Sequence, residues 1–127
     1  MSKVQINIGI IGAGKTGKHL IEQFVGFDFV KIVKVADINE AAPGYVFAKE
    51  KGIPVTTDYM DVARLGKEVD IIIEVTGRKD IKLDLRSHLQ ENGNKHTVIV
   101  PELVAVLLMS IAKGEFVDSF HGYQKYE

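Results

Sequence analysis

The sequence feature that most constrains this chain is a glycine motif near the amino terminus. An apolar run that ends at Ile11 leads into three glycines, Gly12, Gly14 and Gly17. In a βαβ unit the first glycine permits a tight turn, the second lets backbone N–H groups approach a diphosphate, and the third lets the helix lie close to the sheet. The first turn of a helix has N–H groups without partners within the helix, and these stabilise an anion. The motif therefore predicts a dinucleotide ligand.

Two further features support this interpretation. Gly17 lies one helical turn before Leu20 and Ile21, on the apolar face that must pack against the sheet. A second apolar run, Phe29 to Ala36, ends in Asp37, which stands 20 residues beyond Gly17. That is the spacing of an acid that accepts hydrogen bonds from the adenosine ribose hydroxyls.

One alternative motif overlaps the same residues. Gly9 to Thr16 also matches GxxxxGK[ST], the phosphate loop of nucleoside triphosphatases, in which Lys15 would reach the phosphates and Thr16 would hold Mg²⁺. However, Ile10 and Ile11 stand where such a loop must leave the sheet, and β-branched residues favour continuing the strand. We therefore favour the dinucleotide interpretation.

Composition indicates one domain. The chain has 127 residues, 46% hydrophobic and 26% charged, which suffices for one core but not for a second domain of ordinary size. We expect a dinucleotide-binding domain over residues 1–113 and a packing or oligomerisation tail over residues 114–127.

Charge and cysteine content exclude several classes of partner. The net charge of −1 provides no field that attracts nucleic acid or an anionic membrane, and the lack of cysteine excludes disulfides and thiolate metal sites. The longest apolar run, Leu103 to Met109, is far below the ~20 residues that span a bilayer. The sequence predicts a cytoplasmic protein with no metal site, no nucleic-acid partner and no membrane partner.

Strands and helices alternate five times along the chain. The predicted strands are Val4 to Ile11, Phe29 to Ala36, Pro54 to Thr56, Val69 to Val75 and His96 to Val100. The predicted helices are about Gly14 to Val25, Pro43 to Gly52, Asp58 to Gly66, Lys79 to Gln90 and Glu102 to about Lys113. Asp58 is expected to cap the third helix, with Asp61 in the capping-box position. Right-handed crossovers then give a single α/β domain with a doubly wound parallel sheet of about five strands, ordered 3-2-1-4-5.

The switch point of that sheet lies between the first and fourth strands, so Thr76 and Gly77 should face the glycine loop. Glu74 has two interpretations, an acceptor of backbone N–H bonds from the following loop or a catalytic acid, and we favour the first. His88 lies on the packed stripe of its helix and has no carboxylate partner in sequence reach, so we interpret it as a packing residue. The catalytic residues stay unassigned.

Three segments carry a family resemblance. Ile8 to Gly14, Val35 to Asn39 and Ile73 to Gly77 resemble, in order, the NAD-binding domains of homoserine and aspartate dehydrogenases. They are also similar to Rossmann-type modules attached to some bacterial sensor kinases. The resemblance implies NAD as the cofactor, bound by a site in three parts. These are the pyrophosphate loop Gly12, Ala13, Gly14, Lys15, Thr16 and Gly17, the adenosine contacts Asp37 and Ile38, and the nicotinamide-ribose contacts Thr76 and Gly77.

The chain departs from those dehydrogenases in one respect that bears on catalysis. They usually carry a lysine just after the fifth strand and further catalytic groups on a second domain, whereas here the sequence runs from Val98 to Glu102 without a lysine. We therefore expect a stand-alone NAD(H)-binding module, for redox sensing or as a subunit of a larger assembly. The alternatives are an NAD-dependent oxidoreductase and, less favoured, a phosphate-loop nucleotide-binding protein.

The last predicted helix is apolar on every side, although one sheet can cover only one side of it. A second covering surface could come from a second chain or from the tail, whose apolar residues are Phe116, Val117, Phe120, Tyr123 and Tyr126. The sequence thus predicts a homo-oligomer, with a further protein that carries a substrate or signalling domain as a possible partner.

Overall fold

The chain forms one parallel sheet between two layers of helices, and the structure, a computed structural model, describes residues 4–117. The strands are β1 (Ile6–Ile11), β2 (Val30–Ala36), β3 (Val55–Thr56), β4 (Ile71–Glu74) and β5 (Val98–Pro101). Their order is β3-β2-β1-β4-β5 and every neighbouring pair is parallel, which confirms the predicted fold. The strands are shorter than predicted because each extends only as far as its pairing with a neighbouring strand. For example, β4 and β5 begin opposite each other at Ile71 and Val98.

The first four helices lie between successive parallel strands, and the fifth follows the last strand. The helices are α1 (Lys15–Phe24), α2 (Pro43–Glu50), α3 (Met60–Ala63), α4 (Lys79–Glu91) and α5 (Glu102–Lys113), with a short 3₁₀ helix at Gly66–Glu68 before β4. The third helix ends well before Gly66, the residue at which the sequence predicted its end.

Both faces of the sheet are covered. On one face the strands pack against α1, α2 and α5, and residues such as Leu20, Tyr45 and Met109 are buried there. On the other face α3 and α4 contribute Val62 and Leu85 to a second cluster. The central strands are mainly apolar on both sides because each side meets helices.

The predicted capping box at α3 is wrong. Asp58 Oδ1 does accept a hydrogen bond from the Met60 N–H at 3.0 Å, but the carboxylate of Asp61 does not return to the Asp58 backbone. It accepts from the Thr56 hydroxyl at 2.6 Å and from Arg64 at 2.8 Å. The Thr56 hydroxyl, followed by Arg64, holds the pKa of Asp61 below its ordinary value. The loop between β3 and α3 is therefore fixed by side chains at the carboxyl edge of the sheet.

The chain turns back after α5. Gly114 ends the helix at a φ of +83°, and the Val117 N–H donates to Ser110 Oγ at 2.9 Å while the Val117 side chain packs against the core. The predicted tail residues Phe120, Tyr123 and Tyr126 lie outside the described residues, so the role of that segment stays a prediction. Across residues 4–117, every helix is too short or too polar to cross a bilayer.

Candidate functional site

A cleft of about 420 Å³ opens above the carboxyl ends of the strands. Loops that follow four of the strands line it. The lining residues are Ile11, Gly12, Gly14, Lys15, Thr16 and Gly17 at the end of β1 and after it, Ala36, Asp37 and Ile38 at the end of β2 and after it, Thr57, Asp58 and Tyr59 after β3, and Val75, Thr76, Arg78 and Ile81 after β4. Clefts at this edge, beside the point where strand order reverses, are where open α/β sheets bind ligands.

Most of the residues predicted as cofactor contacts come together here. Ala13 and Gly77 are the two predicted residues that do not line the cleft. Sequence reasoning missed Thr57, Tyr59 and Arg78, which do line it. Their sequence positions shortly after β3 and β4 could have predicted this, because the carboxyl ends of parallel strands meet at one edge of the sheet.

Gly12 makes the turn between β1 and α1. Its φ is +99°, a conformation that side chains disfavour, and a Cβ there would lie 3.0 Å from the Val75 carbonyl carbon and 3.1 Å from Thr76. Its N–H donates to the Ala36 carbonyl oxygen at 2.9 Å. The turn is therefore held against β2 on one side and against the loop after β4 on the other.

The other two motif glycines are required for different reasons. A Cβ on Gly17 would lie 2.2 Å from the Gly12 carbonyl oxygen, so α1 can approach the turn only with glycine at this position. Around Gly14, apart from its neighbours along the chain, no heavy atom of the described residues lies within 4 Å of the Cβ position. Gly14 is the N-cap of α1 and its side-chain position faces open space, with no side chain capping the helix. An anionic group can therefore approach the start of α1.

Asp37 stands at the end of β2, half-buried, opposite the glycine loop. Its Oδ2 accepts a hydrogen bond from the Ala13 N–H at 2.8 Å, and its Oδ1 accepts from the Asn39 N–H at 2.8 Å. A carboxylate offers about four acceptor sites. The same side chain can thus hold the loop and also accept hydrogen bonds from ribose hydroxyls.

Glu74 lies beneath the cleft and does not line it. It is 3% exposed at the end of β4, and its Oε2 accepts hydrogen bonds from the Thr76 N–H at 2.6 Å and from the Thr76 hydroxyl. This is the structural role that the sequence favoured. Glu102, at the start of α5, is equally buried. Both acids fix or underlie loops, and neither reaches the cleft surface.

Exposed polar groups form the rim across from the glycine loop. The Tyr59 hydroxyl donates to Asp84 on α4 at 2.5 Å, and this bond raises the pKa of Tyr59 above its ordinary value. Arg78 donates two hydrogen bonds to Asp80, at 3.1 and 2.5 Å. Exposed ion pairs contribute about 0 to 1 kcal/mol, so a bound ligand can replace Asp80 as the partner of Arg78.

The phosphate-loop alternative does not fit this geometry. Gly9, where such a loop would begin, lies inside β1 and pairs with both neighbouring strands. A Cβ on Gly9 would lie 2.4 Å from Val62 of α3, so this glycine serves helix packing. The strand continues through Ile10 and Ile11, as their β-branched side chains predicted.

Comparison with known proteins gives the family. Residues 6–102 match the oxidoreductase family with an NAD-binding Rossmann fold, Gfo/Idh/MocA. The chain belongs to this family. No curated protein has a significantly similar sequence.

Similar solved structures share the fold of this Rossmann domain. Homoserine dehydrogenase of S. aureus has a TM-score of 0.60 at 16% identity, covering 94% of this chain and 33% of that one. Myo-inositol dehydrogenase of Corynebacterium glutamicum has a TM-score of 0.59 at 16% identity, covering 87% and 33%. GenD2 from gentamicin A biosynthesis, solved in complex with NAD, has a TM-score of 0.53 at 17% identity, covering 80% and 35%. The chain spans about a third of the length of these three proteins.

The two glycines of the loop lead to opposite predictions for alanine variants. Gly17→Ala should lower the free energy of unfolding by about 1 to 3 kcal/mol or more, because its Cβ meets a backbone oxygen that cannot retreat freely. Gly14→Ala should change stability by less than about 0.5 kcal/mol, yet weaken NADH binding at least about tenfold, because its Cβ would enter the space where the glycine motif predicts the diphosphate. Urea unfolding and calorimetry measure the two effects.

Gly26→Ala is the control for this pair, since its Cβ would come no closer than 3.7 Å to the Gln23 oxygen. Unchanged NADH affinity in a folded Gly14→Ala protein would show that the diphosphate does not lie against this residue.

Proposed function

We propose that this domain binds NAD(H) in the cleft and acts as a nucleotide-binding module, for redox sensing or as a subunit of a larger assembly. The observation that carries the proposal is the open space beside Gly14 at the start of α1, where the N-cap residue has no side chain to cap the helix. A helix N-terminus stabilises a diphosphate without side-chain charge. Membership of an NAD-binding family and the fold shared with the NAD complex of GenD2 support the choice of ligand.

The proposed cofactor lies along the carboxyl edge of the sheet. The diphosphate occupies the start of α1 at Gly14, and the adenosine ribose donates hydrogen bonds to Asp37. The adenine lies beside Ile38, an apolar side chain that is 84% exposed without a ligand. The nicotinamide half extends toward Thr76, which follows β4 and contacts the glycine turn. This assignment uses the cleft over its whole length.

A binding role is favoured over catalysis by the positions of the acids. Glu74 and Glu102 were the acidic groups nearest the expected nicotinamide site, and both are 3% exposed and absent from the cleft lining. Hydride transfer also needs a substrate held in line with the nicotinamide and a group that moves the proton. The alternative, an NAD-dependent oxidoreductase, is favoured by the family itself and would take its substrate contacts from another chain or segment.

We further propose that two copies pair through the outer face of α5, in the cytoplasm. Five apolar side chains on this face are 39–68% exposed, namely Leu103, Val104, Leu107, Leu108 and Ile111. The opposite face of the helix packs on the sheet through Ala105, Val106 and Met109. In a twofold contact the same residues meet each other, and this apolar face brings no like charges together.

The cofactor should be NAD(H) in preference to NADP(H), with Asp37 as the cause. The carboxylate accepts from a 2′-hydroxyl but repels a 2′-phosphate. Losing a hydrogen bond to a charged group costs about 1.5 to 3 kcal/mol, so Asp37→Ala should weaken NADH binding roughly ten- to a hundredfold, as measured by calorimetry. NADPH binding should weaken less or improve. Equal affinity of the wild-type protein for NADH and NADPH would show that Asp37 does not contact the adenosine ribose.

The domain should bind NAD(H) without oxidising homoserine, aspartate or similar small substrates, because Glu74 and Glu102 are both buried and absent from the cleft lining. The measurement is NADH absorbance at saturating NAD⁺ with each substrate, after binding has been verified by calorimetry. A substrate-dependent rise in absorbance that Glu74→Gln abolishes would favour the oxidoreductase alternative instead.

The wild-type chain should be a dimer at micromolar concentration, and Leu107→Lys should make it a monomer, because a charge then lies within the apolar contact. Light scattering gives the mass. Leu83→Lys on α4 is the matched control, since Leu83 is also exposed but lies outside the proposed interface. A monomeric wild-type protein, or a control that dissociates equally, would contradict the interface.

A further inference from the structure

Ala13, in the middle of the glycine loop, is held from both sides by one segment of the chain. Its N–H donates to Asp37 Oδ2 at 2.8 Å, and its carbonyl oxygen accepts from the Gly44 N–H at 2.6 Å. Asp37 ends β2 and Gly44 lies in the first turn of α2. The connection between β2 and α2 is therefore hydrogen-bonded at both of its ends to the backbone of the glycine loop.

Glycine is required at position 44 because there is no room for a side chain. The φ of Gly44 is not positive, so its backbone conformation does not require glycine. However, a Cβ at this position would lie 2.6 Å from the Ala13 oxygen and 3.0 Å from the Lys18 nitrogen. Pro43, at the first position of α2, has no N–H, so Gly44 supplies the first N–H of this helix. Such N–H groups have no partner within their own helix, and this one is satisfied by the glycine loop.

The segment between the two contacts is itself fixed. Asp37 Oδ1 accepts from the Asn39 N–H at 2.8 Å, and Asn39 Oδ1 accepts from the Ala41 N–H at 2.9 Å. The Asn39 carbonyl oxygen accepts from the Ala42 N–H at 3.0 Å. These successive turns hold Asp37 and Gly44 at a set separation, because Asn and Asp side chains bond to the backbone two residues on.

We propose that Asp37 and Gly44 are positioning residues that clamp Ala13 and thereby couple the adenosine half of the site to the diphosphate half. The proposal rests on NAD(H) binding in this cleft. A ribose that donates to Asp37 bonds to the same carboxylate that holds the Ala13 N–H. Ala13 directly precedes Gly14, where the diphosphate is proposed to lie. The predicted cofactor residue Ala13 thus acts through the loop conformation, since its N–H is already bonded within the protein.

The coupling has a direction that experiment can measure. Filling the ribose site keeps the Asp37 carboxylate, and with it the Ala13 peptide, in place, so the diphosphate should bind more tightly when adenosine is attached to it. By linkage the effect is reciprocal. Breaking the clamp should therefore weaken ligands that contain the diphosphate more than it weakens adenosine alone.

The test compares Gly44→Ala with Gly26→Ala for binding of NADH, ADP-ribose and adenosine. Gly26 is the matched control because its Cβ position is open and it lies at the far end of α1. Gly44→Ala should weaken ADP-ribose and NADH at least about fivefold, with adenosine changed by less than about twofold, as followed by calorimetry and by NMR shifts. Equal weakening of all three ligands, or of none, would overturn the clamp.

A second variant guards against loss of folding. Asp37→Asn keeps the side-chain shape but exchanges one acceptor oxygen for a donor, so it can no longer accept from both the Ala13 N–H and the Asn39 N–H and the clamp is weakened at its other end. In ligand-free protein, amide hydrogen exchange at Ala13 should accelerate in both Gly44→Ala and Asp37→Asn and stay slow in Gly26→Ala. Combined in one chain, the two variants should weaken ADP-ribose by less than the product of their separate effects, because each disrupts the same peptide.

The outcomes separate this inference from the proposed function. Wild-type protein that fails to bind NADH overturns the proposed function and the coupling together. Wild-type binding with slow Ala13 exchange in both clamp variants overturns the clamp alone. Independent effects of the two variants on ADP-ribose would also overturn it, because they would show that Asp37 and Gly44 do not act on one peptide.

Discussion

The rest of this structure depends on the close approach of two backbone segments, the turn after β1 and the first turn of α1. The Gly12 carbonyl oxygen lies where any side chain on Gly17 would have to be. This contact brings α1 close to the sheet, so that Leu20 and Ile21 reach the core, and it aims the start of the helix at the cleft. The second helix then packs on the same turn through Gly44, again without room for a Cβ. The fold and the candidate site therefore depend on the same close backbone contacts around the glycine loop.

The polar groups of the site divide into those that build loops and those that remain available to a ligand. Glu74 is fully engaged with Thr76 beneath the cleft, and Thr56, Asp58, Asp61 and Arg64 fix the loop after β3. Asp37 belongs to both groups, because it holds the glycine loop and retains acceptor sites. The loops of the cleft are therefore held in place by groups of the protein itself, which agrees with the proposed role in dinucleotide binding.

Membership of the oxidoreductase family supports NAD(H) as the proposed cofactor. The chain spans about a third of the length of the similar dehydrogenases. The outer face of α5 is an exposed apolar surface. Exposed apolar patches on soluble domains mark places where another protein surface packs. Pairing of two copies through α5 would leave the cleft at the carboxyl edge open, so that nucleotide binding and association can occur in the same protein.

The strand order was predictable from the alternation of strands and helices along the chain. The turn at Gly12, the close packing at Gly17 and the position of Asp37 at the end of β2 were predictable as well, because spacing within one βαβ unit reflects local geometry. The sequence did not reveal the capping of α3, where Thr56 and Arg64 both donate hydrogen bonds to the Asp61 carboxylate, or the place of Tyr59 and Arg78 at the cleft. Nor did it reveal why residue 44 is glycine. Those features arise from contacts between segments distant in the chain, and only the packing of α2 against the glycine loop brings Ala13, Asp37 and Gly44 together.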